Sequence, residues 1–286
     1  MKTSLKKAKI TGVLLLATLV FVACNNEDSP APLEEGVINV TELNTSDEAE
    51  LIMEEIVNIE EVVYATDEIM AVSKSPYTSG YLPDCVTITT VVSGNNKEKT
   101  IDFGDGCELP NGNVLSGIVT LNYSKNMDMA TKTIDLSMQN FTFNGVALEG
   151  SASVERTRSN ENGNPQSHIT ASFEGTWPDG GSASFTGNRT REWIEGYGSG
   201  FWGDNVFQIS GKGTYTGKQG NVFIKETTVP LRRELSCRFV VSGILDISRN
   251  GAVASLDFGD GSCDANGVLT YPDGTSKEIF LRRFDR

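Results

Sequence analysis

Ile134-Asp135-Leu136-Ser137-Met138, Phe141-Thr142-Phe143, Asn144-Gly145 and Val146-Ala147-Leu148 follow one another in mid-chain, and their reading decides the fold. Apolar and polar residues alternate with a period of two, so an extended backbone presents one apolar and one polar face. Asn144-Gly145 supplies two residues that tolerate positive φ, as a two-residue hairpin turn requires. Two antiparallel strands joined by a tight turn are therefore expected here. The same grammar extends outward. Ala171-Ser172-Phe173 alternates, and Asn111-Gly112, Asn162-Gly163, Asp179-Gly180, Asn250-Gly251, Asn266-Gly267 and Asp273-Gly274 read as turns. Residues 80–286 are expected to form one mainly β body, a large antiparallel β-meander. To bury its apolar face such a meander must curl into a sandwich or a barrel.

Upstream the period changes. Thr45 and Glu48 form a capping box, and Ile52, Ile56, Ile59, Val63 and Met70 recur at helical spacing to about Ser73. An amphipathic N-terminal helix is expected over residues 45–75, ended by Ser75-Pro76 and Gly80. Its other faces carry Glu50, Glu54, Glu55, Glu60, Glu61, Asp67 and Glu68. That reads as a solvated acidic side opposite an apolar stripe packed on the β body. A membrane-lying helix would carry Lys and Arg there.

Two internal echoes run through the β body. Thr176-Trp177-Pro178-Asp179-Gly180-Gly181-Ser182 matches Thr270-Tyr271-Pro272-Asp273-Gly274-Thr275-Ser276, an aromatic-Pro-Asp-Gly hairpin turn. Asp102-Phe103-Gly104-Asp105-Gly106-Cys107 matches Asp257-Phe258-Gly259-Asp260-Gly261-Ser262-Cys263. In each copy a second cysteine precedes the motif, Cys85 in the first and Cys237 in the second, so local pairing is expected: Cys85 with Cys107 and Cys237 with Cys263. Each bond would close a loop worth about 3 kcal/mol on the chain-entropy model. No close-spaced C-x-x-C pair exists for a thiolate zinc site. The Asp-Phe-Gly-Asp-Gly element resembles that of polycystic-kidney-disease-type immunoglobulin-like domains, over five residues per copy. The Trp before it and the His-x-Tyr strand after it are missing, so that fold is not transferred. Asp102 and Asp105, or Asp257 and Asp260, are candidates for a calcium site, because hard cations want clustered oxygens. The competing reading is that these carboxylates bond to backbone N–H groups of a tight turn.

The segment Trp193-Ile194-Glu195-Gly196-Tyr197-Gly198-Ser199-Gly200-Phe201-Trp202-Gly203-Asp204 is the most unusual composition in the chain. Trp193, Tyr197, Phe201 and Trp202 are candidates to stack on sugar rings, with Glu195 and Asp204 accepting from hydroxyls. Alternatively Trp193, Phe201 and Trp202 point into the core. His168 is the sole histidine and alternation places it on one face of a strand. No G-x-S-x-G, H-E-x-x-H or phosphate-cradling glycine loop is present. A carboxylate pair for glycoside hydrolysis can be assembled from many acids here, so abundance alone carries no weight.

The start of the chain supplies an address. Lys2, Lys6, Lys7 and Lys9 precede an apolar run, Ile10 to Val22, and Phe21-Val22-Ala23-Cys24 ends it. This resembles a bacterial lipoprotein signal, which implies removal of residues 1–23 and acylation of Cys24. Asn25-Asn26-Glu27-Asp28 is similar to the export signal of Bacteroidota lipoproteins and implies the outer membrane, at the cell surface or on its periplasmic face. Residues 24–44 are expected to be a flexible acidic tether, with a reach of roughly 25 Å. Loss of residues 1–23, which carry four Lys and no acid, takes the formal charge from −14 to −18. So acidic a surface repels nucleic acid and anionic lipid. The expectation is a lipid-anchored, non-enzymatic binding module with no required cofactor, engaging a glycan or an envelope protein. The alternatives are a structural scaffold and a glycan-active hydrolase.

Overall fold

The computed structural model describes residue 38, residues 40–237 and residues 239–281. The expected signal segment, Cys24 and most of the expected tether lie outside them. One helix, α1 (Val40–Ser73), precedes strands β1 (Thr87–Ser93), β2 (Asn96–Asp102), β3 (Cys107–Glu108), β4 (Val114–Ser124), β5 (Thr131–Phe143), β6 (Val146–Thr157) and β7 (Gln166–Thr176). After these come β8 (Ser182–Glu195), β9 (Val206–Thr216), β10 (Val222–Glu234), β11 (Val240–Arg249), β12 (Ala252–Asp260), β13 (Asn266–Thr270) and β14 (Ser276–Phe280). The fold is mainly β, and all strands belong to one antiparallel sheet in sequence order, with β3 pairing β4 beside the main path. Among the described residues the sheet does not close: β1 and β14 are the two ends of the order. Among the described residues no helix is long and apolar enough to cross a membrane.

Turn chemistry explains the meander. At Asn144-Gly145 both φ angles are positive, 47° and 82°, and at Asn250-Gly251 they are 49° and 83°. Right-handed strand twist favours such turns. The aromatic-Pro-Asp-Gly echo closes in the same way twice. Trp177 N donates to Gly181 O at 2.9 Å and Gly180 N to Trp177 O at 2.9 Å; Tyr271 N donates to Thr275 O at 2.8 Å and Gly274 N to Tyr271 O at 2.9 Å. Asn266-Gly267 is not a turn; it opens β13, pairing with Phe280 and Ile279 of β14. Bulges bend the sheet. At the β4–β5 register shift next to Gly117, a Cβ would sit 2.2 Å from Asn140 O, so only glycine fits.

What the sheet bends around is α1. Every residue from Leu51 through Ala65 is buried, on all faces. The apolar stripe Ile52, Ile56, Ile59 and Val63 is in the core as expected. The acidic side is not solvated, which corrects the amphipathic reading, and strand residues supply its partners. Glu61 meets Arg156 of β6 at 2.8 Å and Arg191 of β8 at 3.1 Å. Glu68 meets Arg156 at 3.2 Å, Glu54 meets Arg233 of β10 at 2.7 Å, and Glu50 meets Lys225 of β10 at 2.8 Å. Asp67 binds Lys97 and Lys99 of β2, the latter at 2.7 Å, and accepts from Tyr123 of β4 at 2.6 Å. Arg191 also lies 3.6 Å from the Phe207 ring centroid. Partners on β2, β4, β6, β8 and β10 place the sheet around the helix. Two boundaries also shift: Thr45 lies inside α1, and Ile38 and Leu43 are core residues, so the end of the expected tether is folded.

Glu60 differs from the paired acids in making no ion pair among the described residues. It is buried, its Oε2 has no hydrogen-bond partner among the described residues, and burial pushes its carboxyl up to about 8. The folded chain therefore keeps this proton where the unfolded chain has lost it. Its contribution to stability is full below the ordinary carboxyl value and is lost as pH rises toward 8. Denaturation midpoints should fall between about pH 5 and about pH 8.5, and Glu60→Gln should flatten that fall and raise the alkaline midpoint. Arg156→Met, which removes the base shared by Glu61 and Glu68 and leaves them Arg191 and Arg158, should cost about 3 kcal/mol in the same measurement. Identical pH profiles for wild type and Glu60→Gln would contradict this placement.

Candidate functional site

A cavity of about 430 Å³ opens where early and late parts of the sheet approach each other over α1. Leu51, Glu55 and Asn58 of α1 form part of its wall. Ser79, Gly80 and Tyr81 come from the α1–β1 connection, and Pro110, Asn111 and Asn113 from the β3–β4 connection. Across from them stand Phe201, Trp202 and Gly203, with Arg233 and Leu235–Cys237. Trp202 N donates to Ser79 O at 3.2 Å, joining the two sides directly. Both disulfides pair as expected: Cys85–Cys107 ties the α1–β1 connection to β3, and Cys237–Cys263 ties the cavity wall to the β12–β13 connection.

The polar groups of the cavity are largely engaged with one another. Glu55 Oε1 accepts from the Tyr81 hydroxyl, and its Oε2 accepts from Asn111 Nδ2 at 2.7 Å and Asn113 Nδ2 at 3.3 Å. Burial pushes the Glu55 carboxyl up to about 7, against the pull of those donors. Arg233 Nε donates to Glu54 Oε1 at 2.7 Å, and its Nη1 donates to the carbonyls of Glu234 and Cys237. Two groups stay unspent. Trp202 Nε1 and Asn58 Oδ1, both shut off from bulk water, have no partner among the described residues.

The structure divides the aromatic segment. Trp193 is core: it is 1% exposed, and its indole N–H donates to Glu195 O at 2.8 Å and Asn205 Oδ1 at 3.1 Å. Its expected stacking role is thereby overturned, because its ring is packed against Tyr197, Trp202 and Phe207 with centroids 5.0, 5.3 and 5.1 Å away. Tyr197 donates to Glu68 Oε2 at 2.9 Å and lies outside the cavity lining. The Glu195 carboxylate accepts from Arg232 at 2.9 Å and that of Asp204 from Ser199 at 2.9 Å, so neither projects into the cavity wall. Phe201 and Trp202 do line it. Trp202 is buried with its ring 5.3 Å from that of Tyr81, while Phe201 is 68% exposed. A Cβ on Gly203 would come within 2.6 Å of the Phe201 ring, so the absence of a side chain there lets that ring lie where it does.

The acidic turns serve their own backbone. Asp102 Oδ1 accepts from Gly104 N at 2.8 Å, and Asp257 Oδ1 from Gly259 N at 2.9 Å. Asp260 accepts from Ser262 N at 3.2 Å, and Asp105 is exposed on its turn. Among the described residues no three His, Cys, Asp or Glu side chains are arranged to hold a metal. His168 is exposed and pairs with Thr190 Oγ1 at 3.1 Å.

Sequence reasoning missed Tyr81, Asn111, Asn113, Glu55 and Asn58 as cavity residues. A signal existed only for Asn111, which the turn pattern singled out. Compared with protein-family models, with curated proteins and with solved structures, the chain matches none of them.

Because Cys237 is part of the wall, the second disulfide should control how dry the cavity stays. A Cys237→Ser/Cys263→Ser chain should lose up to about 3 kcal/mol of stability and shift its tryptophan emission to the red as Trp202 is wetted. Unchanged emission with unchanged stability would show that the bond does not brace this wall.

Proposed function

We propose that the protein is an envelope lipoprotein, anchored through an acyl group on Cys24, whose β body is a non-enzymatic binding module for a saccharide or glycan end. The cavity carries this reading. Its volume falls in the range of small-ligand sites, and it is lined by three aromatic rings beside a few fixed polar groups. The exposed Phe201 ring at its mouth provides an apolar face of the kind that stacks against the C–H side of a sugar. Glu55, held by three donors, orients the polar wall rather than standing free as an acid catalyst. The negative formal charge opposes nucleic acid as a partner.

A glycan array probed with the full chain in detergent tests this, with Phe201→Ala as the comparison. The expected result is selective binding that the substitution abolishes while the thermal midpoint stays put, since an exposed ring contributes little to the core. A silent array would place a scaffold or a protein-binding role ahead of this one.

A further inference from the structure

The open edge of the sheet at β1 is the least guarded surface of the molecule. β1 ends the strand order and pairs only with β2, so one row of its backbone N–H and C=O groups has no strand beside it among the described residues. Such a row is a template for a further extended chain. All seven of its residues, Thr87-Ile88-Thr89-Thr90-Val91-Val92-Ser93, are exposed, among them Ile88 at 42%, Val91 at 52% and Val92 at 55%. Ile88, Thr90 and Val92 pair with Ile101, Lys99 and Lys97 of β2 and share their inward face, but the cover that buries Ile101 and Lys99 stops short of β1. Sheet edges are ordinarily blunted by charge, proline or shortness. The other edge follows that rule, since β14 has five residues and carries Lys277 and Glu278. β1 has neither charge nor proline, and every residue before Ser93 is β-branched.

What fits this edge is a second copy of itself. Laid antiparallel about a two-fold axis at Thr90, β1 meets its counterpart with Ile88 opposite Val92, Thr89 opposite Val91 and Thr90 opposite Thr90. Each exposed apolar side chain of the strand then gains a β-branched neighbour, and no charge is buried. Between two acidic chains this is also where repulsion is weak. The nearest charged strand residues, Lys97, Glu98 and Lys99 of β2, would lie three strand spacings, about 14 Å, from those of the other copy, beyond a Debye length of about 8 Å. Pairing with β14 of another copy would instead set Lys277 and Glu278 among these valines, and such a head-to-tail contact need not close. We propose that two copies of the chain associate through β1, antiparallel and centred on Thr90, joining their sheets across a two-fold axis. One strand pair buries less than a standard interface, so the association is weak, with a Kd on the order of 10 µM.

Sedimentation equilibrium of the full chain in density-matched detergent tests this. The expected result is a monomer–dimer equilibrium, weakened about tenfold by Thr89→Glu and by Val91→Lys, each of which sets a charge against an uncharged residue of the other copy. In the Thr89→Glu/Val91→Lys chain each new glutamate faces the new lysine of the other copy, and dimerisation should return to within about threefold of wild type. Both positions are exposed, so the thermal midpoint of the dilute, monomeric chain should not move in any of the three variants. A chain that stays monomeric at about 100 µM overturns the proposal. A dimer indifferent to both single substitutions overturns it too, because another surface then holds the copies together. Weakening by both without restoration in the double variant contradicts the two-fold register, and open-ended growth past the dimer would show the β1–β14 pairing in its place.

Discussion

The structure depends on neutralising an acidic helix inside a β-sheet. A carboxylate taken out of water is tolerated only when a partner with good geometry replaces the solvent. Here Glu50, Glu54, Glu61, Asp67 and Glu68 of α1 each find Arg or Lys on the sheet. These partners sit on strands far apart in sequence: Lys99 and Arg233 lie on β2 and β10. Satisfying them all at once obliges the sheet to wind around the helix. The apolar contacts of Ile52, Ile56, Ile59 and Val63 supply the driving force, and the ion pairs fix the arrangement. A flat sheet carrying the same strands would leave either the bases or the acids buried without partners.

That arrangement also positions the cavity. With the helix as an axle, the α1–β1 and β3–β4 connections are brought opposite the β8–β9 and β10–β11 connections, and Glu55 and Asn58 face the gap between them. Arg233 links the two roles, since one of its nitrogens neutralises Glu54 while another holds the carbonyls of the cavity wall. Each disulfide fastens at least one segment that lacks regular secondary structure, Cys85 to β3 and Cys237 to Cys263.

Much of the architecture is legible in the sequence because it is local. Alternation marks the strands, Asn-Gly marks the hairpins at 144 and 250, and the duplicated Cys-bearing motif predicts both disulfides. The winding is not local. Its signature is nonetheless present: Arg156 follows Ala152 and Val154 in the inward register of β6, Lys225 follows Phe223 in β10, and Arg191 precedes Trp193 in β8. A base on the apolar face of a strand, repeated on several strands and matched by an unusually acidic helix, encodes a buried polar interface rather than a solvated surface. The site was half legible for a related reason. Composition singles out residues 193–204, but only backbone geometry decides that Trp193 turns inward while Phe201 turns out over Gly203. The asparagines and Glu55 come from distant segments, and no pattern within either segment announces that they meet.

The most direct test of this account is native-state hydrogen exchange on the full chain, followed peptide by peptide. If the sheet winds around the helix, amides of residues 51–65 cannot open without breaking the ion pairs to β6, β8 and β10. Held by the Glu54 and Glu61 ion pairs to β10, β6 and β8, they should then exchange only through global unfolding, as slowly as the core strands β6 to β8. Exchange of that segment well ahead of those strands, at the pace of a helix lying on the surface with its acids in water, would contradict it.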